Sequence, residues 1–352
     1  MKILEIGSTP LFKTAFPEET TLVWTGERPM PQPQVDYSAT PYAMARVTRS
    51  MLSNLYDVIV VSPHLYRSYH PRYWLRALIR APWEPWSALT RAYGADYFRF
   101  VRPTAPLIIV DMADNPTIGT PTVKLLDAAT AVFKRELPTD RWRVLSGTSH
   151  PFLPTRRIRQ SPKWQRRINK FHPVNLPNLF PDIDGASFSG TPKTTDVFFA
   201  GDVIGNSTAR MAAVSDLEKI QALGYKVDYP NERLSKDEFF HRMARAWLTL
   251  SPEGFGWQCY RHAEAGMVGS IPLINYPTII QATPFLDGFN CFYFSPEPGG
   301  LVKAVQKSLT NKDTLLSISQ NAKHHCTKNY TIKACCEYML EETMKNWHRD
   351  KK

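Results

Sequence analysis

The chain of 352 residues is long enough for two domains of ordinary size, and its 43% hydrophobic and 21% charged residues describe a folded globular protein, not a disordered or fibrous one. Lys and Arg outnumber Asp and Glu by 43 to 32, a net charge of +11, which points to a polyanionic or anionic-membrane partner. No apolar run reaches about 18 residues, so no membrane-spanning helix is expected.

The segment Met1-Lys-Ile-Leu-Glu-Ile-Gly7 turns acidic too early for a signal peptide and reads as a first strand, Lys2–Ile6, ending in a glycine turn. Further strand-like runs fall at Thr21–Trp24, Val58–Ser62 and Leu107–Val110, with a helical pattern over Tyr42–Leu55. Strands spaced by helices predict parallel βαβ units. Residues 70–105 hold Trp74, Trp83, Trp86, Tyr93, Tyr97, Phe98 and Phe100 among arginines and prolines. They suit either an aromatic acceptor or membrane-facing surface, or a helical core insertion. Leu125–Phe133 reads as a helix with an apolar face, ended near Pro138. A basic cluster follows: Lys134, Arg135, Arg156, Arg157, Arg159, Arg166 and Arg167, with Trp164 among them. It is a candidate surface for an acceptor or polyanion, with the tryptophan suited to stacking. Proline-rich stretches at 150–154 and 172–181 mark an interdomain linker, which gives a first domain over 1–180, a second over 190–325 and a terminal helix over 326–352.

The second domain opens with the strand Asp196-Val-Phe-Phe-Ala-Gly201. A helix over Ser215–Leu223 and a strand over Tyr225–Tyr229 follow. Ser235-Lys-Asp-Glu238 is a capping box that starts the helix Phe239–Ala246. Helices are expected at Gly299–Leu309, Leu315–Lys323 and Ile332–Lys351. The five cysteines, Cys259, Cys291, Cys326, Cys335 and Cys336, contain no Cys-x-x-Cys pair and read as reduced thiols. His324, His325 and Cys326 are consecutive, which does not suit tetrahedral zinc ligation.

The stretch Ser251-Pro-Glu-Gly-Phe-Gly-Trp-Gln-Cys-Tyr-Arg-His-Ala-Glu-Ala-Gly-Met-Val-Gly-Ser-Ile-Pro-Leu-Ile274 is the most informative. It reads as a glycine loop, a short helix and a buried strand, preceded by the apolar Leu248-Thr-Leu250. Arg261 and Glu264 lie one turn apart, so both leave the same helix face. In an open α/β sheet, ligands bind beyond the C-terminal ends of strands. Loop and helix-start N–H groups suit phosphate, Arg261 adds a fork of donors, and Glu264 can accept from ribose hydroxyls. Ser251, Glu253, Gly254, Gly256, Gly201 and Arg210 complete the candidate nucleotide and phosphate site. The glycines allow close backbone approach. Glu253 is placed near the base or the sugar.

The pattern Arg261-x-x-Glu264-Ala265-x-x-x-Gly269-x-Ile271-Pro272 resembles the donor-site signature of exostosin-like glycosyltransferases and, more loosely, of the GT-B superfamily. Asp196–Gly201 resembles the "FFAG" strand that opens the donor domain in that group. Asp111-Met-Ala-Asp114 with Phe133-Lys-Arg-Glu136 resembles a "DxxD … FKRE" pattern of bacterial relatives. Together the similar segments cover roughly 105–280. The resemblance implies an α/β GT-B fold, two Rossmann-like domains facing across a cleft, with a C-terminal helix crossing back to the first. It also implies a glycosyltransferase of the bacterial or viral type, using a nucleotide-sugar cosubstrate, most naturally a UDP-sugar, with no obligatory metal. Without the membrane anchor usual in animal and plant relatives, a cytoplasmic protein is expected, working at the inner face of a membrane.

Sugar transfer needs a stabilised leaving diphosphate and an activated acceptor hydroxyl. Asp111 and Asp114, after the strand Leu107–Val110, and His64, after Val58–Ser62, are the candidate bases. Asp182-Ile-Asp184 is similar to the Asp-x-Asp metal motif of GT-A enzymes but lies in the proline-rich linker and reads as a turn. The expected acceptor is a glycan or lipid-linked sugar of surface polysaccharide synthesis. Two alternatives stay open: glycosylation of nucleic acid, as in phage DNA-base modification, and a non-catalytic polyanion-binding protein on a GT-B scaffold.

Overall fold

The structure, a computed structural model, describes residues 1–25, 36–38, 41–63, 79, 98, 103–146, 148–150, 153–154, 160–178, 185–203 and 207–350. His64, Arg156, Arg157, Arg159, Asp182 and Asp184 therefore lie outside the described residues. So do Trp74, Trp83, Trp86, Tyr93, Tyr97 and Phe100 of the aromatic segment, in which Phe98 is described and buried. The chain folds into two compact units, Met1–Val174 with Cys336–Lys352, and Asn175–Cys335.

The first unit carries strands β1 (Ile3–Gly7), β2 (Thr20–Trp24), β3 (Tyr37–Ser38), β4 (Val58–Val61), β5 (Leu107–Asp111) and β6 (Ala131–Lys134). A separate antiparallel pair, β7 (Thr148–His150) and β8 (Leu153–Pro154), precedes β9 (Phe171–Pro173). The main sheet runs β3-β2-β1-β4-β5-β6-β9, and every pairing in it is parallel. Every residue of β1, β4, β5 and β6 is buried. That is why these strands read as unbroken apolar runs: a parallel sheet is covered on both faces.

Glu5 is the polar exception in β1. Its carboxylate accepts from the N–H groups of Phe12 at 3.1 Å and Lys13 at 2.7 Å. It thereby seats the start of the short helix Leu11–Ala15. Burial is the main influence on this carboxyl and raises it to about 7.

One expected element is corrected. Leu125–Phe133 is not one helix: a helix spans Thr120–Leu125, and Ala131–Lys134 is strand β6. The helix-forming alanines there yield to the demand for a strand between β5 and β9, buried on both faces. The basic stretch beyond is partly ordered as the helix Pro162–Ile168, with Ser161 Oγ capping Trp164 N at 3.4 Å.

The second unit holds β10 (Thr195–Phe198), β11 (Val227–Asp228), β12 (Ala246–Leu250), β13 (Ile271–Asn275) and β14 (Phe292–Phe294). Its sheet runs β11-β10-β12-β13-β14, all parallel. Val197, Phe199, Leu248, Leu250, Ile271 and Leu273 form its core with Ala213, Leu217 and Ile220 of the helix Thr208–Ala222. Ser235 Oγ accepts from Glu238 N at 3.3 Å and opens the helix Lys236–Ala244. From β10 the chain crosses first to β11 on one side and then to β12 on the other. The ends of β10 and β12 are therefore the switch point of this sheet. In the first unit the same reasoning selects β1 and β4, where a Cβ on Gly7 would stand 2.8 Å from Ser62 Cβ.

The last helix, Ile332–Asp350, begins in the second unit and ends in the first. There the Phe133 and Tyr338 rings meet edge to face at 5.9 Å, and Asn346 Nδ2 lies 2.9 Å from His172 Nε2. Among the described residues no helix is long and apolar enough to cross a membrane.

Candidate functional site

At the switch point of the second unit, the sequence candidates come together. β12 ends at Leu250, the loop 251–259 follows, and the helix Tyr260–Met267 starts behind it. The loop is pinned from within. Ser251 is fully buried, and its hydroxyl lies 2.7 Å from His262 Nδ1; the other ring nitrogen lies 2.9 Å from the Trp257 carbonyl. His262 thus ties the start of the loop to its end. Ser251 is committed to that brace. Gly254 N donates to Gly256 O at 3.0 Å, which folds the tip over and leaves Phe255 80% exposed.

Arg210 comes from the helix Thr208–Ala222 and is buried. Its guanidinium donates to the carbonyls of Glu253 at 3.2 Å, Asp202 at 3.0 Å and Pro252 at 3.4 Å. It therefore staples the glycine loop to the turn after β10. Burial pushes this guanidinium down from its ordinary range, helped by Arg261, while Cys259 and Asp202 oppose the shift.

Arg261 is 9% exposed and reaches back to β10, with Nη2 donating to Ala200 O at 2.6 Å and the guanidinium 5.2 Å from the centre of the Phe199 ring. Its Nε is buried without a partner among the described residues. A Cβ on Gly201 would stand 2.5 Å from Nη2, so the glycine makes room for the arginine. Glu264, one turn on, is 6% exposed, and its carboxylate accepts no hydrogen bond from any described residue. Burial raises it to about 7, with Arg261 pulling the other way. A buried carboxylate without a donor is costly, so such a group marks a candidate ligand site. Cys259, the N-cap residue, is half-buried, with Arg261 Nη1 3.9 Å from its sulfur.

The first-unit candidates pair with one another. Lys134 is fully buried; its Nζ donates to Asp111 Oδ1 at 3.0 Å and to Ala113 O at 2.9 Å. Asp111 is 4% exposed, and its Oδ2 is buried without a partner among the described residues. Arg135 forms an ion pair with Asp114, whose side chain is 51% exposed. The two similar-looking segments, Asp111–Asp114 and Phe133–Glu136, are thus partners across β5 and β6. Of the two carboxylates, Asp114 is open to solvent and Asp111 is not. Arg167 is likewise occupied: it grips Asp127 through Nε at 2.8 Å and Nη2 at 2.6 Å and stacks over Trp164 at 4.3 Å. Arg166 on the same helix is exposed. The basic cluster is therefore partly internal bracing, not one continuous free surface.

Sequence reasoning missed His262 and Asn275. Asn275 ends β13 and is buried; its Oδ1 accepts from Glu253 N at 2.8 Å and its carbonyl from Trp257 Nε1 at 3.0 Å. The available signal was positional: a polar residue directly after the apolar Ile271–Ile274, at the C-terminal end of a parallel strand.

No protein-family model matches the chain, and no curated protein matches it. Solved structures do. The fold is that of the GT-B class, with two parallel sheets and their helices. A glycosyltransferase from Rickettsia africae ESF-5 is similar with a TM-score of 0.57 and 9% identity, covering 98% of each chain. Sucrose-phosphate synthase from Thermosynechococcus elongatus is similar with a TM-score of 0.52 and 10% identity, over 99% of this chain and all of its own. Anabaena Alr3699/HepE, in complex with UDP, is similar with a TM-score of 0.51 and 12% identity, over 98% of this chain and all of its own. At these identities the likeness is one of fold.

Proposed function

We propose that the protein is a nucleotide-sugar-dependent glycosyltransferase whose donor binds at the β10–β12 switch point. The observation that carries the reading is Arg261 beside Glu264: a buried cation and a buried carboxylate without a hydrogen-bond donor, one turn apart behind a glycine loop. Arg261 and the N–H groups of the loop and helix start take the diphosphate, and Glu264 accepts from the ribose. Glu253 faces the sugar, while Arg210 and Ser251 hold the loop. UDP is the preferred nucleotide, a choice supported by the UDP complex of the Anabaena neighbour. Since Arg261 and the helix start supply the positive charge, transfer proceeds without an obligatory metal and is expected to survive a chelator.

The finer assignment is an exostosin-like hexosyltransferase acting on a glycan or lipid-linked acceptor of polysaccharide synthesis, at the cytoplasmic face of a membrane. It rests on the Arg261–Pro272 pattern. Asp114, the exposed carboxylate of its pair, is the proposed acceptor base.

A thermal-shift screen against UDP-, GDP-, ADP-, CMP- and dTDP-sugars tests the donor site. A ligand at 100 times its Kd stabilises the native state by about 2.7 kcal/mol. One nucleotide is expected to raise Tm by several degrees, an effect lost in Arg261→Ala and Glu264→Ala. No shift with any of them, or a shift untouched by both substitutions, removes the reading.

A further inference from the structure

Glu253 is gripped at three points. Its N–H donates to Asn275 Oδ1 at 2.8 Å; its carbonyl accepts from Ser207 Oγ at 2.9 Å and Arg210 Nε at 3.2 Å; and its Oε2 accepts from Asn275 Nδ2 at 3.1 Å. Among the described residues, Oε1 alone of its polar atoms has no partner. The side chain is neither buried nor fully exposed. Asn275 is 2% exposed and cannot turn over: the Glu253 N–H requires an acceptor, so Oδ1 stays there and Nδ2 stays on the carboxylate.

We propose that Asn275 is a positioning residue for sugar discrimination, fixing the Glu253 carboxylate so that Oε1 accepts a hydroxyl of the sugar carried by the nucleotide donor. The inference rests on the donor-site reading above.

The chemistry narrows the partner. A carboxylate only accepts, so it must meet a donor group. The diphosphate is anionic and is repelled. The ribose is taken by Glu264, which leaves the uracil N3–H and the transferred sugar; a contact to the base would weaken UDP alone as much as the UDP-sugars in Glu253→Gln, and the titration below separates the two. A fixed acceptor is a sharp reader of hydroxyls, because an epimer that turns its hydroxyl away leaves a desolvated carboxylate oxygen unpaired. The sharpness depends on the carboxylate staying in place. Asn275 supplies that restraint, with one amide holding the main chain and the side chain of the same residue. The Asn275 carbonyl also holds Trp257 beyond the Gly254–Gly256 tip, so the loop is anchored on both sides from one strand end.

Two substitutions separate discrimination from loop folding. Asn275→Asp keeps an acceptor for the Glu253 N–H but sets an oxygen against Oε2, displacing the carboxylate. Glu253→Gln keeps the shape and every main-chain contact. Calorimetric titration would use UDP, UDP-glucose and UDP-galactose. The native protein is expected to favour one epimer by about tenfold, equal to about 1.4 kcal/mol. Each variant should bring that ratio to within about twofold while UDP alone stays within about threefold, and the double variant should lose no more than either single one. Equal losses for UDP and both UDP-sugars in Asn275→Asp would overturn the proposal, leaving Asn275 as a loop anchor only. Retained discrimination in Glu253→Gln would overturn it too. A native protein that binds UDP but does not distinguish the epimers also overturns it, with the donor site intact. A native protein that binds none of the three overturns the donor reading, and this inference with it.

Discussion

Glu264 works against two opposed influences, since burial raises its carboxyl to about 7 and Arg261 lowers it. The folded value lies above the unfolded one of 4.5, so the folded state holds the proton more tightly. The resulting stability is fully present below pH 4.5 and is lost as pH rises to about 7. By linkage the swing is on the order of 3 kcal/mol at most. Glu264→Gln removes it. The variant should melt higher than the native protein at pH 8 and lose that advantage by pH 5; a Tm difference constant with pH would sink the assignment. Glu5 titrates in both proteins and cancels in the comparison. Nucleotide binding runs the opposite way, because only ionised Glu264 is a full acceptor for ribose: affinity should fall as pH drops below about 7. Cys259 offers a second probe. It is half-buried beside Arg261, whereas the other four cysteines are buried. Burial pushes Cys335 up to about 12 and Cys291 and Cys326 higher still. Iodoacetamide should label Cys259 first, as read by peptide mass spectrometry, and UDP should slow the labelling. Labelling of a buried cysteine first, or no protection by UDP, would contradict the arrangement.

At the scale of elements, the helix Tyr260–Met267 is set by close packing. Gly266 faces the helix Lys312–Asn329, where a Cβ would stand 2.9 Å from the Ala322 carbonyl and inside contact distance of Cys326 Sγ. Alanine is ordinarily the better helix former by about 1 kcal/mol, but here overpacking should win. Gly266→Ala is expected to cost about 1–3 kcal/mol, seen as a lower denaturation midpoint at unchanged slope. Adding Cys326→Ala should recover only part, because the Ala322 carbonyl remains. A stabilised Gly266→Ala would show that the helices are further apart. The glycine loop, the helix Tyr260–Met267 and β12 were legible in the sequence because their signals are local: a glycine pair, a one-turn Arg/Glu spacing and an apolar run. β6, β9 and β14 were not, since each is short and becomes a strand only through a neighbour distant in sequence. The role of Asn275 was hidden for the same reason, as it meets Glu253 across 22 residues. The pairing of Lys134 with Asp111 spans 23, and the similar motif flagged both segments without showing that they were partners.

At the scale of the whole molecule, the first unit is made from two stretches of chain and the second from one. Met339 and Thr343 of the last helix are fully buried, and Cys336 with them. Deleting 336–352 should therefore damage the first unit, although the cut falls next to the second. In hydrogen exchange, amides of β5 and β6 should lose protection while those of β10 and β12 keep it. Equal protection throughout would make the terminal helix dispensable. The same split has a consequence for biosynthesis. A chain leaving the ribosome ordinarily folds its N-terminal domain first. Here the half that is translated second is contiguous and can close as soon as Cys335 emerges, whereas the half translated first waits for residues 336–352. Until they emerge, Phe133 and His172 lack the Tyr338 ring and the Asn346 amide that they meet in the finished unit, so the half made first is the half finished last.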